Sequence, residues 1–271
     1  MDTVTQKIDR LRVANTKPKN VKGQYILYWS QMFRRLHSNH ALDCALRLAA
    51  AYKKPLVVYE ALKLNYPWAN ARHHTFILQG MRDNAARAKQ LGLAYWPFVE
   101  TPNATGRGLV KQLTANAVCV VTDDYPAFIV PAHNRALAEK CPVPLLLVDG
   151  NSLVPLSRLG ASVGAAAHLR PRIHKAFANA WNERAASKPD VPQVAKSNLA
   201  PPFPAWDATQ DIAKFVAGLP LDQSVPPVPS VEGGTIGGKE ALAAFVARKL
   251  KRYAEERSEP DDPDRTAASG L

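Results

Sequence analysis

Five short apolar runs in the first 150 residues constrain this chain more than any other feature. They are Gly23–Ser30 (GQYILYWS), Leu56–Glu60 (LVVYE), Leu93–Val99 (LAYWPFV), Ala117–Asp124 (AVCVVTDD) and Pro144–Asp149 (PLLLVD). Each is too short for a stable helix and rich in aliphatic, β-branched or aromatic residues, so each is predicted as a strand. Near-continuous apolar strands are strands covered on both faces, which favours parallel pairing with crossover helices. The intervening segments supply those helices. Asn39 suits an N-cap, and Ala41, Leu42, Ala45, Leu46 and Ala49 follow at helical spacing until Pro55. Arg72 opens a long helix through Leu91, with a predicted buried stripe of Phe76, Ile77, Met81, Ala85 and Ala88 and a stop at Gly92. Leu109, Val110 and Leu113 mark a short helix, and residues 132–140 another, with Leu137 inward. The predicted fold is α/β: a doubly wound, Rossmann-like, five-stranded parallel sheet in the order 3-2-1-4-5.

The flanking segments differ in character. Residues 1–22 are mixed in charge and are predicted as an exposed arm. The α/β domain spans 23–187, including a helix-rich block at Ala161–Ala186 in which Pro171 marks a kink or a new start. Residues 188–237 hold PPFP and VPPVP and are expected to be a Pro/Gly-rich linker, with one short helix at Gln210–Val216. From Gly238 to Glu256 an amphipathic helix gathers Leu242, Phe245, Val246, Leu250 and Tyr253 on one face. Only a polar tail follows, so 238–271 is expected to be the start of a second domain that has been cut off.

The net charge of +12 favours a polyanionic partner, of which nucleic acid is the commonest. No run reaches the ~18 apolar residues of a membrane span, and the N-terminus lacks a signal-peptide core, so the expected protein is cytoplasmic and bound to no membrane. Cys44, Cys119 and Cys141 are widely spaced and are expected as reduced, buried thiols. No metal is expected, because the adjacent His73 and His74 cannot share one helix face. These two histidines are expected as surface or capping groups.

The order of motifs resembles the photolyase/cryptochrome family, and within it the class II type of DNA photolyase. In WSQMFRRLHSNHAL, the residues Trp29, Arg35, Asn39, Ala41 and Leu42 fall in register with W-x-R-x-D-L-R-x-x-D-N-x-A-L; Gln31, Phe33 and Ser38 depart from it. Arg72 with Phe76 is similar to the family's R-x-x-x-F helix start, and VDGNSLVPL to its fifth-strand ending. AAAHLRPRI resembles the class II stretch that comes next. GGKEALAAFVARKLKRYAEERSEP resembles the opening of the family's helical flavin domain, and ASGL, ending at Leu271, the start of its flavin-phosphate motif. The resemblance implies an N-terminal antenna domain, a linker, and the first helix of an otherwise missing all-α FAD domain. The implied parent is a flavoprotein lyase acting in DNA repair: light-driven repair of cyclobutane pyrimidine dimers by a reduced flavin. One helix cannot enclose a flavin, so the chain alone is expected to be inactive, with no catalytic residue of its own. A cryptochrome-like photoreceptor or a stand-alone chromophore- or nucleotide-binding module is the alternative. A monomer is expected.

Open parallel sheets bind ligands beyond the strand carboxyl ends where strand order reverses, here between the first and fourth strands. Trp29, Ser30, Gln31, Arg34 and Arg35 flank that point on one side, and Thr122, Asp123 and Asp124 on the other. Trp29, Ser30, Arg35, Asp123 and Asp124 are the candidates for contact with an antenna chromophore (a deazaflavin, folate or flavin); the alternative is that Asp123 caps the following turn and the arginines are solvated. Arg170, Arg172 and Lys175, in a cluster with His168 and His174, are candidates for DNA phosphate contact, or a solvated helix face. The resemblance implies flavin contact at Tyr253 and Ser269. No GxGxxG or P-loop follows the first strand, and the GGTIGG at 233–238 follows no strand, so ordinary dinucleotide or ATP binding is not expected.

Overall fold

The computed structural model describes residues 10–257. One sheet holds six strands: β1 (Leu11–Val13), β2 (Tyr25–Ser30), β3 (Leu56–Leu62), β4 (Ala94–Val99), β5 (Ala117–Asp123) and β6 (Leu145–Val148). Their order is β1-β6-β5-β2-β3-β4. The five predicted strands occupy the predicted order, and every pairing among them is parallel. The sixth strand corrects the expectation of an exposed arm. β1 lies antiparallel on β6, with Leu11 opposite Val148 and Val13 opposite Leu146. Its segment RLRV alternates charge and aliphatic side chain at the period of a strand, so Leu11 and Val13 join one core face. The bare edge of β6 is thereby covered, as exposed strand edges tend to be.

Each face of the sheet has its own core. On one, α1 (His40–Tyr52) lays Leu42, Ala45 and Leu48 against Ile26, Tyr28, Val58, Val121 and Leu146. On the other, α3 (Leu109–Thr114) and α4 (Val130–Lys140) lay Leu109, Leu113 and Leu137 against Leu27, Val57, Val120 and Leu145. Entry into β2 depends on Gly23, where a Cβ would sit 2.5 Å from the Val118 nitrogen.

The chain clusters into two units, one of residues 1–64 and 85–207, the other of 65–84 and 208–271. The predicted linker is therefore not a free connection. Its first part belongs to the sheet unit. Phe203, held between prolines, meets Tyr59, Trp96 and Phe98 edge-on at ring distances of 5.9, 6.3 and 5.5 Å. The Trp96 indole donates to the Leu199 carbonyl at 2.7 Å, and the Trp206 nitrogen to the Pro97 carbonyl at 2.9 Å. A Pro-rich composition marks extended chain, and extended chain can be packed as well as solvated.

The second unit is built on α2 (Ala71–Leu91), through Asn84, with α6 (Ile212–Ala217) and the region of α7 (Gly234–Arg248) and α8 (Tyr253–Glu256). The buried stripe of α2 is Ala71, His74, Thr75, Leu78, Met81, Asn84 and Ala88, whereas Phe76 is 48% exposed. The predicted stripe is rotated because three inward residues are polar, which an apolar count cannot register. His74, expected at the surface, is fully buried and stacks on Tyr66. The helix α7 starts at Gly234 rather than Gly238. Its entry runs flush along α2: a Cβ on Gly233 would fall 2.1 Å from the Phe76 carbonyl oxygen. Gln79 accepts from the Gly233 nitrogen and Asp83 from the Ile236 nitrogen. The GGTIGG run is thus a close-approach device at a helix start, where glycine is required for space. Among the described residues no helix is long and apolar enough to cross a membrane.

Candidate functional site

The end of β5 meets the loop after β2 at the switch point, and protein atoms fill the junction. Asp123 is fully buried. One of its carboxylate oxygens accepts from three successive backbone nitrogens, Gln31 at 3.0 Å, Met32 at 2.7 Å and Phe33 at 3.1 Å. The other accepts from the Tyr28 hydroxyl at 3.2 Å. Burial pushes the Asp123 pKa up, and the three N–H groups and the Tyr28 hydroxyl oppose that rise. Tyr28 is held in turn by the Ser30 hydroxyl and by the Asn39 amide at 2.9 Å. The Asn39 side-chain oxygen also caps α1, accepting from the Ala41 and Leu42 nitrogens. Asp123, Ser30 and Asn39 therefore fix the β2–α1 loop from beneath. Asp123 does the turn-capping work foreseen as its alternative role, and its oxygens are closed to a ligand.

Above this network the remaining switch-point residues also bond to one another. The Gln31 amide nitrogen donates to the Thr122 hydroxyl at 2.9 Å and to the Asn134 side-chain oxygen at 2.8 Å. The half-buried Trp29 stacks on His133 of α4 at 6.0 Å, and the His133 ring lies 3.2 Å from the Gln31 oxygen. Burial and the Lys63 charge lower the His133 pKa, so the ring is neutral at pH 7. Arg34 pairs with the buried Glu60 at 2.6 Å, and Glu60 also accepts from Tyr95 at 2.7 Å. Arg35 turns back to the Ser38 carbonyl at 3.0 Å and lies over the Phe33 ring. The structure thus brings Trp29, Ser30, Arg35 and Asp123 together at one end of the sheet. Of the four, Trp29 and Arg35 keep partly open surface, whereas Ser30 and Asp123 are buried.

Asp124 faces away from them. It takes a bidentate contact from Arg12 of β1, at 3.1 and 3.0 Å. It lines a cavity of about 590 Å³ bounded by β1, the ends of β5 and β6, and α4. Leu147 and Ala138 contribute apolar wall, and Arg10, Arg12 and Arg135 contribute cationic groups. The open space at the strand ends thus lies one strand outward from the switch point. Sequence reasoning missed Arg10, Arg12, His133 and Arg135. For the first two the signal was present in the alternation of RLRV. His133 and Arg135 sit on a short helix whose apolar pattern reveals only Leu137.

The basic cluster lies on α5 (Ala166–Ala180), which runs through Pro171 without restarting. Arg170 and Lys175 are exposed, but the Arg172 guanidinium donates to the Leu159 and Ala161 carbonyls at 2.8 and 2.7 Å. Helical spacing puts His168, Arg172 and Lys175 on one face and Arg170 with His174 on another, so the cations do not form a single stripe. Tyr253, half-buried, meets Phe245 edge-on at 5.6 Å and lies under Arg257. Ser269 lies outside the described residues. With Tyr253 as the one described position of the implied flavin contacts, the described residues do not build a flavin enclosure.

Comparison with known proteins agrees with the architecture. Residues 26–195 match the family described as DNA photolyase. The chain is 27% identical over 256 residues to the deoxyribodipyrimidine photo-lyase of Methanothermobacter thermautotrophicus, covering 93% of this chain and 54% of that protein. To the enzyme of that name from Potorous tridactylus it is 26% identical, covering 89% of this chain and 44% of the relative. To that of Oryza sativa it is 30% identical, covering 92% and 49%. The chain therefore spans about half the length of the curated relatives it matches. Among solved structures, a bacterial class III photolyase from Agrobacterium tumefaciens matches with a TM-score of 0.58 at 17% identity, over 92% of this chain and 50% of that one. At that identity the likeness speaks for the fold. The matched residues begin inside β2 and end at Ala195, and so take in every parallel strand of the sheet: the chain belongs to the DNA photolyase family.

Proposed function

We propose that this chain forms the N-terminal, α/β part of a deoxyribodipyrimidine photolyase, a protein that repairs cyclobutane pyrimidine dimers in DNA with light. The family match over 26–195 carries this reading. The net charge of +12 suits a DNA partner, and Arg170 and Lys175 are the exposed members of the basic cluster that remain available to phosphate. FAD and an antenna chromophore are the cofactors of the proposed parent, with Tyr253 and Ser269 as flavin contacts. Ser30 and Asp123 are buried and bonded within the protein, so Trp29 and Arg35, which keep partly exposed surface, are the switch-point residues left to meet an antenna chromophore. Asp123, with Asn39, fixes the loop and the start of α1.

The deciding experiment deletes the coding sequence in its host and follows thymine-dimer loss after ultraviolet exposure, in blue light and in darkness. The light-dependent fraction is expected to fall. Undiminished light-dependent repair would sink the proposal. The purified chain with added FAD and reductant is expected to show no light-dependent repair, since its described residues do not enclose a flavin.

A further inference from the structure

The helix α5 presents a face that packing does not use. Its inner side carries Leu169, Ile173, Ala176 and Ala180 at helical spacing, all partly or fully buried. About a quarter-turn round the helix, Arg170, His174, Phe177 and Trp181 recur at i, i+4, i+7 and i+11 and so form one stripe. Trp181 ends the helix but keeps helical backbone angles, φ −56° and ψ −35°. All four residues are exposed, Phe177 by 40% and Trp181 by 47%. The two rings lie 5.5 Å apart, and the Arg184 guanidinium sits 4.0 Å from the centre of the Trp181 ring, donating to the Trp181 carbonyl at 3.2 Å. An exposed aromatic pair is thus flanked at both ends by guanidinium groups. From Arg158 to Lys188 the chain has six Lys or Arg and one acidic residue, Glu183, which pairs with Arg158 at 2.7 Å. Arg170 and Arg184 have no ion pair among the described residues. Rings left half in water contribute little to the fold and gain when a flat or apolar body covers them.

We infer that this ridge binds an unpaired stretch of DNA, with Phe177 and Trp181 stacking on bases and Arg170 and Arg184 meeting phosphates. A cationic track interleaved with aromatic rings is how proteins hold single strands, because every base has a π-face and the backbone is a row of negative charges. Paired DNA keeps its base faces inside the duplex, so it meets the cations and not the rings. A second copy of the chain would set like charges against each other. An anionic lipid surface calls for a broad aliphatic face, and this stripe holds no aliphatic residue. The choice of DNA over RNA rests on the repair reading. The inference goes beyond that reading because the binding needs no lesion, flavin or light.

Fluorescence anisotropy of the full chain with labelled, undamaged oligothymidine of about 12 nucleotides, and with a duplex of the same length, tests it in the dark. The single strand is expected to bind at least about tenfold more tightly than the duplex. Trp181→Leu and Phe177→Leu, both at exposed positions, are each expected to weaken single-strand binding at least about fivefold and to leave duplex binding unchanged. Arg184→Gln is expected to weaken both and to lower the salt dependence between about 50 and 200 mM. Lys140→Gln, which removes one exposed charge from α4, is expected to bind as the parent does. The inference is overturned if the single strand binds no more tightly than the duplex, if both leucine variants keep the parent's affinity, or if oligouridine binds more tightly than oligothymidine. It is equally overturned if phosphatidylglycerol vesicles bind the chain and the leucine variants lose that binding, which would make the ridge a lipid-facing surface. Failure here leaves the repair proposal standing, and loss of the repair phenotype bears on neither ring.

Discussion

Replacing Asp123 separates two effects that the structure superimposes, the hydrogen bonds it accepts and the charge it carries. Asp123→Ala leaves the Gln31, Met32 and Phe33 nitrogens facing a vacated, buried site. An unsatisfied buried donor costs ~1–3 kcal/mol, so three amount to ~3–9 kcal/mol before relaxation. Water entry and movement of the loop recover part of this, and the expected loss is about 3–5 kcal/mol, at the upper end of single substitutions. Asp123→Asn keeps one oxygen for the three nitrogens. Its amide nitrogen then points at the Tyr28 hydroxyl, which already receives the Asn39 amide, and the mismatch is expected to cost about 1 kcal/mol. Urea unfolding followed by far-UV circular dichroism measures both. The pH dependence carries a sign. Burial raises the folded pKa of Asp123 above its ordinary 3.8, so the folded state takes up the proton first. The parent should therefore gain stability relative to Asp123→Asn as pH falls from the raised pKa towards 3.8, with no further change below it. Alanine and asparagine variants of equal stability, or a gap that moves the other way with pH, would refute the account.

Two further substitutions test the packing that was not expected. Gly233→Ala places a Cβ 2.1 Å from the Phe76 carbonyl oxygen, closer than any real contact, so α7 must lift from α2. Limited proteolysis should cut within 208–257 faster than in the parent and leave the sheet unit as protected as before; an unchanged digestion pattern would contradict the close approach. Phe203→Ala removes a ring that meets three aromatic neighbours of the sheet unit. Because Phe203 is only half-buried, the expected cost in urea unfolding is about 2–3 kcal/mol, below the 3–5 typical of a fully buried Phe→Ala change. A cost under about 0.5 kcal/mol, the usual range for surface changes, would mean that residues 199–206 behave as a linker after all.

The parallel sheet was legible because burial on both faces forces long apolar runs, and Ile26, Val58, Val121 and Leu146 are what a strand covered by α1 must carry. The helix caps were legible for a similar reason, since Asn39 has few other uses at that place. What escaped the sequence is polar or extended structure that becomes buried. His74, Thr75 and Asn84 occupy the inner face of α2, where an apolar count finds only half of the stripe. Phe203 lies in a proline-rich run whose composition describes backbone conformation and says nothing about what the backbone touches. β1 is the most consequential case. Three residues alternate too briefly to outweigh the mixed charge of the segment around them, so RLRV resembles a solvated arm. Pairing with β6 decides otherwise, because the edge of a sheet supplies hydrogen-bond partners that no local pattern encodes. That pairing also moves the open space at the strand ends. A five-stranded sheet leaves only the switch point as a crevice, and there Asp123 and the β2–α1 loop fill much of it. Adding β1 brings Arg10 and Arg12 to the far side of β5 and β6, and the cavity they line exists only because an apparent arm is a strand.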